Sequence, residues 1–226
     1  MTESASLLRL MSWLSPVFPI GGFAYSAGLE QAARAGLVRD RAGVSDWIAV
    51  QVTRGAAWND AVILIRAQAE ARDAAALDDL ASLCLALCVG QERHDETLNQ
   101  GVSFLEAVRH WVASGRLPGG EVPLPVAVGA AAGVERIAAV VERIEPRLLA
   151  CAYLHGFVSN QLQCAIRLSL LGQDGAARVL SDLEPVIDAA GERAAGSTLD
   201  DLGGAAFICD SAAMRHETLQ PRLFLS

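Results

Sequence analysis

The segment Trp13-Leu14-Ser15-Pro16-Val17-Phe18-Pro19-Ile20-Gly21-Gly22-Phe23-Ala24-Tyr25-Ser26-Ala27-Gly28-Leu29-Glu30 constrains the fold more than any other. Between Pro16 and Phe23 it holds two prolines, two adjacent glycines and two aromatics. Each proline removes a main-chain donor and drives the residue before it out of the helical region. Gly21-Gly22 admits a positive φ or a close main-chain approach. The segment therefore is not helix, and it is too apolar for a solvated loop. It reads as a shaped plug that packs on other elements and feeds a helix. Tyr25 or Ser26 falls at that helix start and Glu30 near its first turn, where a carboxylate is favoured.

The elements around the plug all read as helix. Residues 5–13 carry Leu7, Leu8, Leu10 and Met11. After the plug a helix spans about 24–35 and stops at Gly36. Ser45-Asp46 is a fitting N-cap for a long helix towards Glu70. Residues 77–91 are apolar on every side, the pattern of a helix central in a bundle. In 93–113, Leu98, Val102, Leu105, Val108 and Val112 recur at spacings of three and four. The Gly- and Pro-rich stretch 114–125 is a long loop. Beyond it come a small, apolar helix at 126–134 and another at about 135–144. A long apolar helix follows at 147–171, and an amphipathic one at about 175–194. The latter is either kinked at Pro185 or begins at Ser181 with a Ser181-x-x-Glu184 capping box. A last helix over 205–217 leads into an extended tail.

No strand alternation appears. The expected fold is all-α: one domain over 1–226, a bundle of about eight to ten helices with a central buried helix. Residues 1–13 and 218–226 are its peripheral termini.

Charge and cysteine usage exclude several functions. The chain of 226 residues has a net charge of −8, which opposes nucleic-acid binding, because phosphate neutralisation needs a basic face. All 18 basic residues are arginine, so neither a Schiff-base lysine nor a P-loop lysine exists. The five cysteines and a start without a signal-peptide pattern suit reduced thiols in the cytoplasm. No apolar run reaches the ~18 residues of a membrane span.

Candidate chemistry is sparse. Cys84 and Cys88 share a helix face, but a zinc site needs about four ligands, and Cys151, His155, Cys164, Cys209 and His216 are scattered. The two thiols read as core filler, and His155 as a hydrogen-bonded core residue. No nucleophile elbow, P-loop or dinucleotide fingerprint is present. Adjacent acids, as at Asp95-Glu96, point to different helix faces and form no acid/base dyad. No catalytic residue, cofactor or metal ligand is assigned. Two polar clusters remain: Gln91 to Gly101, and Met214 to Ser226, whose final Leu223-Phe224-Leu225 calls for a docking site.

Several of these residues together resemble the urease accessory protein F (UreF) family. They are Leu14 to Glu30, Glu96-Thr97-Leu98-x-Gln100-Gly101, Pro125 to Gly129, Leu171-Gly172-Gln173, and Met214-Arg215-His216-Glu217 followed by Arg222-Leu223-Phe224 and Ser226. They run in the family's order along nearly the whole chain. The family pattern has Ser where Ala24 stands and Arg where Leu225 stands.

The resemblance implies a non-enzymatic, homodimeric urease maturation factor. It would bind the urease D/H accessory protein and, with it, recruit the nickel-carrying GTPase G to deliver Ni²⁺ to apo-urease, regulating that GTPase. The partner surface it implies comprises Pro19, Gly21, Phe23, Tyr25, Ser26, Gly28, Glu30, Glu96, Gln100, Arg215, His216, Glu217, Arg222, Leu223 and Phe224. Two alternatives stand beside it. One is a small all-α enzyme with a buried pocket built on Tyr153 and His155. The other is a direct Ni²⁺ chaperone through Cys209 and His216, two helical turns apart.

Overall fold

The computed structural model describes residues 3–134 and 144–226. Among them the chain is all-α. It forms α1 (Glu3–Trp13), α2 (Leu29–Arg34), α3 (Arg41–Arg54), α4 (Ala56–Ala69), α5 (Ala74–Ala86), α6 (Gln91–Val108), α7 (Leu124–Val134), α8 (Pro146–Arg167), α9 (Gln173–Ala195) and α10 (Phe207–His216), with three short 3₁₀ turns. The helix expected at 135–144 falls, but for Ile144, outside the described residues. No described helix is long and apolar enough to cross a membrane.

The centre of the bundle is α4 with α7, not the helix over 77–91. In α4 ten of fourteen residues are buried, and in α7 ten of eleven. By contrast α5 buries only Leu77, Leu80, Ala81 and Cys84, one stripe facing inward. α4 also packs against α3, α5, α8 and α9. Small residues let α4 and α7 approach closely: a Cβ on Gly129 would lie 2.3 Å from the Leu64 carbonyl oxygen.

The helix expected from 45 to 70 is two helices. α3 begins earlier, capped by Asp40, whose carboxylate accepts from the Gly43 N–H at 2.9 Å. It ends at an extended Gly55. Other elements satisfy the carbonyls this break frees. The Ala205 N–H donates to Arg54 and the Arg193 guanidinium to Thr53, both at 2.8 Å. In α9 the chain runs helical straight through Pro185, so Ser181 is no cap.

The segment after α1 is the expected plug. Trp13 and Phe18 are buried, with their rings 5.8 and 5.3 Å from that of Phe104 on α6. Its helix starts at Leu29 rather than near 24, because Ala27 (φ 50°) and Gly28 (φ 80°) turn left-handed just before it.

Candidate functional site

The plug, α2, α6, α8 and α10 meet around the last residues of the chain. Residues 222–226 run extended alongside 23–26. The Leu225 N–H donates to the Ala24 carbonyl and the Ser26 N–H to the Ser226 oxygen, both at 2.7 Å. The Ser26 hydroxyl donates to that same oxygen. Alternation along this segment buries Phe224 and Ser226 and leaves Leu223 and Leu225 exposed. α8 fixes the other side of the strip. Asn160 Nδ2 and the Cys164 thiol both donate to the Tyr25 carbonyl, and the Arg167 guanidinium donates to the Phe23 carbonyl while lying 4.2 Å over the Phe224 ring.

Carboxylates do most of the holding. Glu30, near the start of α2, accepts from the N–H groups of Leu223 and Phe224 at 2.8 and 2.9 Å. Its other neighbour is His216, whose Nε2 lies 3.2 Å away. Burial pushes the Glu30 carboxyl up, but these three bonds outweigh it and leave it below its usual range. On α6, Glu92 lies 2.7 Å from His216 Nδ1 and accepts from the Arg222 guanidinium. One turn on, Glu96 accepts from the Ser226 hydroxyl at 3.1 Å. Burial raises the Glu96 carboxyl, and Arg93 at 3.5 Å opposes that only in part.

Behind Glu96 lies a second buried cluster. Arg93 pairs with Asp60 of α4 at 2.6 Å, and the Tyr153 hydroxyl donates to the same carboxylate oxygen at 3.0 Å. Desolvation, then the nearby Asp60 charge, pushes the Tyr153 phenol far up, so it serves only as a donor. A cavity of about 170 Å³ opens beside this cluster, between Cys84, Cys88, Asp60 and Asp210. The thiols are also held protonated by burial, Cys84 well above its ordinary range.

The chain as a whole is similar to known proteins. The family model for UreF matches residues 38–184. The urease accessory protein UreF of Mesorhizobium japonicum is 47% identical over 226 residues, covering 99% of this chain and 98% of that protein. UreF 1 of Brucella anthropi is 46% identical over 223 residues, covering 98% and 94%. This chain belongs to the UreF family.

Membership gives the motifs quoted from the sequence a common context, and the structure gives each a physical job. In Glu96-Thr97-Leu98-x-Gln100-Gly101, Glu96 holds Ser226 and the Thr97 hydroxyl accepts the Leu124 N–H at the start of α7. Gln100 donates to Glu96, and Gly101 lets the chain before α7 pass, since a Cβ there would sit 1.9 Å from the Val122 oxygen. Gly28 does the same for α10, 2.7 Å from the Ala213 nitrogen.

The fifteen residues expected at a partner surface divide by exposure. Tyr25, Ser26, Gly28, Glu30, Glu96, Gln100, His216 and Phe224 are buried and bind other parts of this same UreF-family chain. Gly21 is half-buried, a left-handed turn ahead of the first 3₁₀ element. Pro19, Phe23, Arg215, Glu217, Arg222 and Leu223 are exposed. His155 is exposed rather than a core residue and stands apart from buried Tyr153. Cys209 and His216 are both buried, and the His216 nitrogens are taken up by Glu30 and Glu92. Among the described residues no three or more His, Cys, Asp or Glu side chains are placed to hold a metal ion.

Sequence reading passed over Asp60, Asn160 and Arg167, and took Glu92 and Arg93 only as part of the polar cluster Gln91 to Gly101. Asp60 had a visible signal: it is the one acid in the run Ala56 to Ile65, which is apolar but for it and Asn59, and a charge there needs a partner.

Proposed function

We propose that this chain is a urease maturation factor, a non-catalytic scaffold that works in the cytoplasm. It binds the urease D/H accessory protein, recruits the nickel-carrying GTPase G and regulates its GTP hydrolysis. Through that assembly it brings Ni²⁺ to apo-urease, acting as a homodimer. The observation that carries the reading is identity of 46–47% along nearly the full length of relatives named urease accessory protein UreF. The surface supports it. Phe23, Leu223 and Leu225 are 72%, 53% and 53% exposed on two neighbouring strips of main chain. Each is costly to leave in water, and together they suit a partner rather than a lone core.

The test is size-exclusion chromatography with light scattering, on this protein alone and mixed with the D/H accessory protein. Deleting 205–226 outright would remove buried Cys209, Ala212, His216 and Phe224 along with the surface. The sharper variant changes only exposed side chains, Phe23→Glu with Leu223→Glu. The expected result is a mixed peak for the wild type and separate peaks for the double variant. Wild-type protein that never associates, or a double variant that associates as well as wild type, overturns the reading.

A further inference from the structure

We propose that His216 is a proton-dependent latch for the C-terminal tail: the ring holds residues 222–226 in place while both its nitrogens carry protons, and the tail loosens when one is lost. His216 is 0% exposed, at the end of α10 where the tail begins. Each ring nitrogen faces a carboxylate oxygen, Nδ1 that of Glu92 at 2.7 Å and Nε2 that of Glu30 at 3.2 Å. An ionised carboxylate only accepts, so both nitrogens must donate, and only the charged imidazole has two N–H groups.

The surrounding charges agree. Facing the ring are Glu30 from α2 and Glu92 from α6, with Arg222 of the tail on the other oxygen of Glu92. Arg34 of α2 is turned to the Gln220 carbonyl, and Arg93 of α6 to Asp60 and Glu96. On α10, Arg215 is exposed and Glu217 accepts the Gln91 N–H. Two carboxylates are thus balanced by one imidazolium and one guanidinium. Removing the ring charge leaves a nitrogen lone pair pointed at a carboxylate in a buried site, an arrangement that low local dielectric makes costly.

Of the pieces that meet here, the tail is the one free to yield. Glu30 and Glu92 stand on helices tied to the bundle, whereas 222–226 form no helix and depend, besides their bonds to Ala24, Ser26 and Glu96, on the same two carboxylates that hold the ring. Release would take Phe224 from beneath Arg167 and uncover the strip along 23–26. The latch would then govern the surface assigned to partners above, but its argument is independent of that reading.

Hydrogen exchange on the full chain tests it without any partner. Protection of 219–226 is followed between about pH 5.5 and about pH 8.5, where histidines titrate, with intrinsic rates corrected and α4 as internal reference. Wild-type tail protection should fall about tenfold or more as pH rises, the loss of one charge-assisted hydrogen bond, while α4 holds steady. In His216→Gln the tail should be less protected and indifferent to pH. A wild-type tail with constant protection, or a variant that follows the wild-type profile, overturns the proposal. Should His216→Gln lose its helical signal, nitrogen NMR of the wild-type ring decides. Two N–H groups under a protected tail and one under a released tail support the latch. A singly protonated ring under a protected tail overturns it.

Discussion

At the scale of single residues, close contacts set what can be changed. Gly28 combines a left-handed φ of 80° with a main-chain contact from α10, and a Cβ there would come 2.7 Å from the Ala213 nitrogen. Gly28→Ala should therefore cost at least about 2 kcal/mol, from backbone strain plus displacement of α10. Gly119→Ala, with nothing within 4 Å, should cost close to nothing. Urea midpoints at an unchanged slope would show both. Glu30 carries a pH signature. Its bonds hold its carboxyl below the unfolded value, so its contribution is present above about pH 4 and is lost as pH falls through the folded value. Glu30→Gln should cost about 1–3 kcal/mol at neutral pH and flatten the acid limb of a stability profile measured by urea unfolding. The sequence marked both residues as special through the Gly28-Leu29-Glu30 motif. It could not show that Glu30 binds Leu223 and Phe224, because 193 and 194 positions separate them from it.

At the scale of elements, existence was legible and boundaries were not. The period of α6 and the apolar length of α8 announced themselves, because each keeps one face on the bundle along its whole length. The break at Gly55 did not, since the apolar pattern continues across it and its stabilising partners, Ala205 and Arg193, come from far along the chain. Pro185 left two readings open, and the helix that contains it is the one that forms. The proline lacks the N–H that would serve the Ser181 carbonyl, yet α9 is held along its inner face by Val179, Leu183, Ile187 and Ala190 against α8 and α3. Tertiary packing outweighs the local loss. Pro185 is exposed, so nothing packed is lost on replacing it. Pro185→Ala should raise stability by about 1–3 kcal/mol, the defect a proline imposes on a helix interior. Thermal unfolding followed by circular dichroism would register this as a higher midpoint with the same helical content.

For the whole molecule, the decisive arrangement is that a helical bundle closes around its own tail. The central packing of α4 on α7 and of α8 on α9 does not involve residues 219–226, so a chain lacking them should remain helical and soluble. What the tail supplies is donors for acids already buried: the Leu223 and Phe224 N–H groups for Glu30, Arg222 for Glu92 and the Ser226 hydroxyl for Glu96. Without them, Glu30 and Glu96 lose bonds that lower their carboxyls, and the burial the bundle still imposes raises both, as it already does for Glu96. A carboxyl raised in the folded state binds protons more readily there than when unfolded, so stability then falls as pH rises above about 4. The shortened chain should thus lose about 3 kcal/mol through the vacated Phe224 site. It should also be stabilised by mild acid relative to the intact protein. Melting temperatures at about pH 5 and about pH 7.5 compare the two chains across the range where such raised carboxyls titrate. A shortened chain whose midpoint moves with pH in parallel with the intact one would mean that the tail is not the electrostatic counterpart of this acid cluster.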